Sequence, residues 1–254
     1  MKVDLNCDMG ESFGRYRIGA DEAMMQHITS ANIACGYHAG DPLVMDRTVR
    51  LAAKHGVGIG AHPSFPDLMG FGRRAMQLSS EEIENYILYQ IGALAAFARA
   101  AGVELVHVKP HGALYNMAAR DMELARAIVH GIARFGREVI VVWLAASAMI
   151  EAAGEAGLCV AQEGFADRAH NPDGTLQSRK EPGSVIHDPQ RAAGQAVAMV
   201  RDGVVVAHTG EEIPVHVDTI CVHGDSPGAV QIARTIRAEL EAAGIRVRPM
   251  GSFL

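Results

Sequence analysis

Six short polar clusters in this chain carry the residue types that proton transfer and hydrolysis need, and each follows a short apolar run. Val3 to Leu5 leads into Asn6-Cys7-Asp8-Met9-Gly10-Glu11, and a run around Ala31 to Ala34, which contains Asn32, leads into CGYHAGD with His38. Val57 to Gly60 leads into AHPSFPD with His62, and Leu105 to Val108 into KPHGALY with Lys109 and His111. Leu158 to Ala161 precedes QEGFADR with Asp167 and Arg168, and Thr219 to Val222 precedes HGDS with His223 and Asp225. Carboxylates and imidazoles at strand ends can move protons or orient a nucleophilic water.

Taken singly, each has an ordinary reading. An Asp after a strand usually bonds a turn or caps a helix, and a lone His at a strand end is usually a hydrogen-bonded structural residue. Lys109 is the sharpest case. An ammonium at the end of an apolar strand is costly unless it meets an anion, either a ligand or a carboxylate such as Asp8. Asp8, His38 and His62 are also the ligand types of many hydrolytic metal sites. No His-Glu-x-x-His motif supports a metal, so the sequence leaves a bound ion undecided. Arg168 has the fork geometry that grips a carboxylate or phosphate, although a pairing with Asp167 would serve equally.

What could gather these clusters is a repeat of strand, polar cluster and helix, counted about seven times along the chain. The seventh strand is Val139 to Leu144. Helix starts are written locally: Asp41-Pro42, Asp188-Pro189 and Ser226-Pro227 each read as an N-cap followed by proline in the first turn. Ser79 with Glu82 reads as a capping box, ahead of a helix that carries Ile83, Ile87, Ile91, Leu94 and Ala98 on one face and stops at Ala101-Gly102. Strands alternating with helices over 254 residues predict parallel β/α units closed into one barrel domain, residues 1–254, with active residues at the carboxyl ends of the strands. Val204 to Ala207 and Ile213 to Val217 read as a β-hairpin inserted near 204–217.

Composition narrows the function class. The chain has 29 acidic and 23 basic residues and a formal charge of −6, without a long run of either sign. This pattern argues against nucleic acid or a membrane surface as partner and favours a small molecule. The four cysteines, Cys7, Cys35, Cys159 and Cys221, form no Cys-x-x-Cys pair, as expected of reduced thiols. The start MKVDLNCD has no apolar signal core, and Val139 to Ile150 is shorter than the roughly 18 residues of a membrane span. The expected location is therefore the cytoplasm. No Walker-type loop occurs and no Gly-x-Gly-x-x-Gly follows a strand, which removes the usual nucleotide sites. Homo-oligomerisation is left open.

The motifs DLNCDMGESFG (4–14), NIACGYHAGDP (32–42), GAHPSFPDLMGFGRR (60–74), VKPHGALYN (108–116), FADRAHNPDGTLQSR (165–179) and ICVHGDSP (220–227) resemble the LamB/YcsF family from end to end. Met9, where leucine is usual, and His170, where an aromatic ring is expected, are the departures. The resemblance implies a seven-stranded or distorted TIM-like (β/α) barrel related to polysaccharide deacetylases and glycoside hydrolases. It also implies an ATP-coupled opening of the 5-oxo-L-proline (pyroglutamate) lactam to L-glutamate, shared with separate subunits B and C. Amide resonance keeps a lactam carbonyl weakly electrophilic, and phosphorylating its oxygen would activate it. Since this chain has no nucleotide loop, ATP as co-substrate is expected to act through the partners.

On that reading Asp8 or His62 deprotonates the attacking water, and Lys109 and Arg168 stabilise developing charge. Asn6, Asn32, His38, His111, Asp167, His223 and Asp225 are then substrate-positioning residues. A Cys7 or Cys35 nucleophile has no accompanying Cys-His signature and ranks below a water mechanism. Two other readings stand beside this one: a metal-dependent, deacetylase-like N-acyl hydrolase, and a non-catalytic lactam-binding subunit.

Overall fold

In the computed structural model, which describes residues 1–224 and 228–254, the chain alternates strand and helix for most of its length. The strands are β1 (Lys2–Met9), β2 (Ser30–Ala34), β3 (Gly58–His62), β4 (Leu105–Val108), β5 (Ile140–Leu144), β6 (Val160–Phe165), β7 (Val204–Val206), β8 (Glu212–Pro214), β9 (Thr219–Val222) and β10 (Arg246–Val247). β1 to β6 pair in sequence order, β9 pairs with both β6 and β1, and every one of these pairings is parallel, so seven strands close a barrel. β10 adds to the start of β1, and β7 pairs with β8 as a separate antiparallel ribbon.

The helices are α1 (Asp21–Met24), α2 (Pro42–His55), α3 (Ser80–Ala100), α4 (Gly112–Ala118), α5 (Met122–Phe135), α6 (Ala148–Glu155), α7 (Pro189–Val197) and α8 (Ala229–Ala242). Asp41 accepts from the Leu43 and Val44 amides ahead of α2, and Asp188 accepts from Arg191 ahead of α7. The capping box of Ser79 and Glu82 forms at α3, whose Ile83, Ile87, Ile91, Leu94 and Ala98 are all buried. The expected Ser226-Pro227 start of the last helix lies outside the described residues. No helix among the described residues is long and apolar enough to cross a membrane.

Strand periodicity explains which residues reach the site. In β1, Val3, Leu5, Cys7 and Met9 join the apolar layer beneath the helices, while Asp4, Asn6 and Asp8 take the opposite face. Lateral register extends that inner face. Asp8 lies beside Asn32, Asn32 beside Gly60, Gly60 beside His107, Asn6 beside Cys221, and Phe165 beside Cys221. Bulky packing is the expectation for a barrel interior, yet this one is largely polar above its floor. The reading that ends β1 at Leu5 is therefore corrected: Asn6 to Met9 stay in the strand because the lumen satisfies their polar side chains. β6 runs to Phe165 rather than ending at Ala161 for the same reason, with Glu163 facing inward. Gly60 permits this filling, since a Cβ there would overlap the His107 ring.

The floor is a small apolar cluster of Ile140, Val142, Ala161 and Met250, the last from the C-terminal turn Met250–Ser252. Above it, Asp4 is fully buried and accepts from the hydroxyls of Thr29 (2.7 Å), Ser30 (2.6 Å) and Thr219 (2.6 Å) and from the Met250 amide (3.2 Å). Burial outweighs these bonds and pushes its carboxyl up to about 6. A folded pKa above the unfolded value means that the folded chain holds the proton more tightly. This contribution is present in full below about pH 4 and is lost as pH rises through about 6. Unfolding of the wild type, compared with Asp4→Asn in urea between pH 4 and 7, is expected to show about 3 kcal/mol of relative stability lost with rising pH. A difference between the two proteins that is flat with pH, or rises with it, would contradict the assignment.

Candidate active site

The carboxyl ends of the barrel strands open into a cavity of about 660 Å³, lined among others by Asp8, Glu11, His62, Lys109, His111 and His223. Its deepest polar layer is a closed hydrogen-bond network. Lys109 Nζ, almost without solvent exposure, donates to Asn6 Oδ1 (3.1 Å) and Asp8 Oδ1 (3.1 Å), pairs with Glu163 Oε1 (2.7 Å) and touches Cys221 Sγ (3.1 Å). Burial alone would drive this ammonium towards neutrality, but Asp8, Cys221 and Glu163 hold it well above its ordinary value. Three N–H donors already face four acceptors. Lys109 therefore serves as the fixed counter-charge of Asp8 and Glu163, and its expected role of gripping a substrate oxygen would require one of those partners to let go.

Asn32 ties the same layer together. Its Nδ2 donates to Asn6 Oδ1 (2.7 Å) and Asp8 Oδ1 (2.9 Å), and its Oδ1 faces His107 Nε2 at 2.8 Å. Asn6 Nδ2 donates to Thr219 Oγ1 (2.7 Å), and the Tyr115 hydroxyl donates to Glu163 Oε2 (2.7 Å). The expectation that Asn6 and Asn32 touch substrate is corrected here. Both are fully buried in this network and position Asp8 instead. Burial pushes Asp8 up, but His62 and Lys109 outweigh it and hold the carboxyl well below the usual range, so Asp8 is ionised where it meets the cavity.

A second group of side chains surrounds the outer oxygen of Asp8. His62 Nε2 lies 3.3 Å from Asp8 Oδ2 and 2.9 Å from His111 Nδ1. The His38 and His111 rings stack at 3.9 Å, and Glu11 Oε1 lies 3.7 Å from His38 Nε2 and 3.8 Å from His111 Nδ1. Burial drives both the His38 and His111 rings towards the neutral form. Glu11, His38, His62 and His111 each offer one ligand atom, and those atoms all lie within 4.8 Å of one another. The backbone supporting them is unusual. Phe71 (φ 54°) and Gly72 (φ 64°) are both left-handed, and the Phe71 carbonyl accepts from His111 Nε2 at 2.9 Å. A non-glycine residue held in that region is retained only when its surroundings over-determine it.

The third group follows the ends of β6 and β9, and β9 is paired with β1. His223 Nδ1 lies 2.7 Å from Asp167 Oδ2, so Asp167 orients that ring; burial pushes the Asp167 carboxyl up, but His223 outweighs it and holds it below its usual range. Arg168, expected to fork onto a ligand, lines the cavity, and its Nε donates to the Ser184 carbonyl (3.2 Å) and its Nη2 to the Gln177 carbonyl. It ties down the long loop after β6, in which Asn171 to Gly174 form the expected tight turn. Asp225 lies outside the described residues. Cys7 and Cys35 point away from the chemistry into the apolar layer, and burial pushes both thiols up, Cys35 to about 12, which disfavours a thiolate nucleophile.

Asp8, His38, His62, Lys109 and His111 thus meet in one connected cluster, with Asp167 and His223 beside it. Sequence reading misses Glu11, although it lies in the first polar cluster, and it misses Glu163, Tyr115, Cys221 and His107. The last four sit within strands or a helix, where a single polar residue gives no periodic signal.

Comparison with known proteins identifies the family and the fold. The profile of the LamB/YcsF family matches residues 3–254. The chain is 61% identical over 254 residues to a Pyrococcus furiosus protein named as a subunit of 5-oxoprolinase, covering 100% of each. It superimposes with a TM-score of 0.93 on the crystal structure of a lactam utilization protein from Thermus thermophilus, at 50% identity, covering 98% of this chain and 100% of that one. A family 4 carbohydrate esterase from Streptomyces lividans shares the fold at a TM-score of 0.51 and 12% identity, covering 97% of this chain and 91% of that one.

Proposed function

The chain belongs to the LamB/YcsF family, and from that premise we propose that it is the hydrolytic component of an ATP-dependent 5-oxoprolinase, opening 5-oxo-L-proline to L-glutamate. One observation carries the reading: a carboxylate, Asp8, meets the cavity ionised and anchored by buried partners. The name of the Pyrococcus furiosus relative supports the lactam as the molecule it acts on. A cavity of about 660 Å³ falls within the usual range for small-molecule sites.

Asp8 orients a water against the lactam carbonyl carbon and takes its proton as the C–O bond forms. The C–N bond of the ring then breaks, and its nitrogen needs a proton. His223 supplies it, because Asp167 fixes the Nδ1 side of the ring and leaves Nε2 for the substrate. Glu163 and Lys109 take no direct part; they fix the position and charge of Asp8. ATP acts through subunits B and C, whose phosphorylation of the amide oxygen makes the carbon a better electrophile. One water then opens the ring and a second releases phosphate. The reaction takes place in the cytoplasm.

The experiment is reconstitution. Glutamate release from 5-oxoproline and ATP is expected only when this chain and both partners are present, with negligible ATP hydrolysis by the chain alone. Robust ATPase activity of the isolated chain, or full turnover by the partners without it, would overturn the proposal. Tight lactam binding by a chain whose cavity variants leave turnover unchanged would favour the non-catalytic binding role.

A further inference from the structure

We propose that Glu11, His38, His62 and His111 form a binding site for one divalent cation of the zinc type, with Asp8 at its edge. Proton accounting is the first reason. His62 Nδ1 lies 2.5 Å from the Lys109 carbonyl, which can only accept, so that nitrogen carries the hydrogen. His111 Nε2 lies 2.9 Å from the Phe71 carbonyl and must carry one as well. The remaining nitrogens, His62 Nε2 and His111 Nδ1, face each other at 2.9 Å. Asp8 Oδ2 at 3.3 Å and Glu11 Oε1 at 3.8 Å add further acceptors to the same point. One cation at that point would meet two ring nitrogens and two carboxylate oxygens at once.

His38 supplies the second reason. Its ring is fully buried, and neither Nδ1 nor Nε2 has a hydrogen-bond partner among the described residues. Two buried, unsatisfied ring nitrogens are expensive, and such a group in a native structure needs an explanation. A proton shared between His62 and His111 would resolve that pair but leave His38 unexplained. A metal engages all three rings, because Nε2 of His38 then bonds the ion.

Spacing and ligand chemistry are the third reason. Ligands about 2.05 Å from a tetrahedral ion lie about 3.3 Å apart; three of the six separations here are 2.9, 3.7 and 3.8 Å, and all are within 4.8 Å. Three imidazoles and one carboxylate suit zinc and its first-row neighbours better than magnesium or calcium, which prefer oxygen. The Lys109 and Phe71 carbonyls are the outer partners that fix ring tautomers at such sites. A bound ion would supply Lewis-acid polarisation beside Asp8. The set differs from the trio read from sequence. Glu11 and His111 enter, and Asp8, already held by Asn32 and Lys109, lies beside the ion.

The test reads metal uptake without turnover, so its failure leaves the lactam reading intact. The full-length chain, stripped with a chelator, is titrated with Zn²⁺ and separately with Co²⁺. One equivalent of each is expected to bind, Co²⁺ developing visible d–d bands of a low-coordinate nitrogen and oxygen site. Glu11→Gln and His38→Gln, checked for folding by circular dichroism, are expected to lose at least about tenfold in Zn²⁺ affinity. His130→Gln, on the exposed face of α5, is expected to bind as the wild type does. Wild-type protein that takes up neither ion, or two folded variants that retain wild-type affinity, would overturn the site. If a variant does not fold, the wild-type stoichiometry and Co²⁺ spectrum decide alone.

Discussion

Asp8→Asn is expected to lower glutamate release by the reconstituted complex about 10²- to 10⁴-fold while the chain stays folded. The substitution changes one function and spares most of the structure. An asparagine at position 8 keeps an oxygen to accept from Asn32 Nδ2 and Lys109 Nζ, the two bonds that anchor the inner side of the carboxylate. Lys109 also keeps Glu163 as a counter-charge at 2.7 Å. What disappears is the basic lone pair that takes the proton of the attacking water. Binding of 5-oxoproline, measured by calorimetry beside turnover, is expected to persist. Retained binding with lost turnover supports the catalytic role, whereas turnover within a few-fold of wild type would remove Asp8 from the chemistry and favour a purely binding role.

How much of this is legible in the sequence follows from where each signal lies. The barrel is legible because its outer layer obeys ordinary rules: apolar residues alternate along the strands, and Asp41-Pro42 and Ser79 with Glu82 announce their helices. The lumen is not, because its residues break the rule by which strands are found. Asn6 and Asp8 look like the end of β1, and Gln162 and Glu163 like the end of β6, when both strands continue through them. A polar residue inside a strand is tolerated only when a partner from another strand satisfies it, and Asn6 finds Thr219 213 residues away. That pairing is a property of closure and cannot be read from local composition. The same holds for Arg168, whose charge suggests a ligand but whose Nε and Nη2 each bond a carbonyl of its own loop. Lys109 stands out because a cation at the end of an apolar strand is conspicuous. The expected carboxylate, Asp8, is in place; a second anion, Glu163, is not read from sequence because it is hidden in mid-strand.

The energetic weight of that hidden partner gives the second large effect. Lys109→Met is expected to destabilise the chain by about 3–5 kcal/mol, because it leaves Asp8 and Glu163 buried without their shared cation. Adding Glu163→Gln should restore a substantial part of the loss. The glutamine is neutral, nearly isosteric, and still offers an oxygen to the Tyr115 hydroxyl, which donates to Glu163 at 2.7 Å. Glu163→Gln alone should be mildly destabilising, since it removes one of the two charges that balance Lys109. Urea unfolding of the two single variants and the double variant forms a cycle with an expected coupling of about 1–3 kcal/mol. Additive losses, or a Lys109→Met protein as stable as wild type, would mean that the network is not held by charge balance. Turnover separates the two jobs of the lysine. In the double variant stability returns, but Asp8 still lacks the ammonium 3.1 Å away that fixes its position and ionisation, so glutamate release should stay low even where folding is recovered.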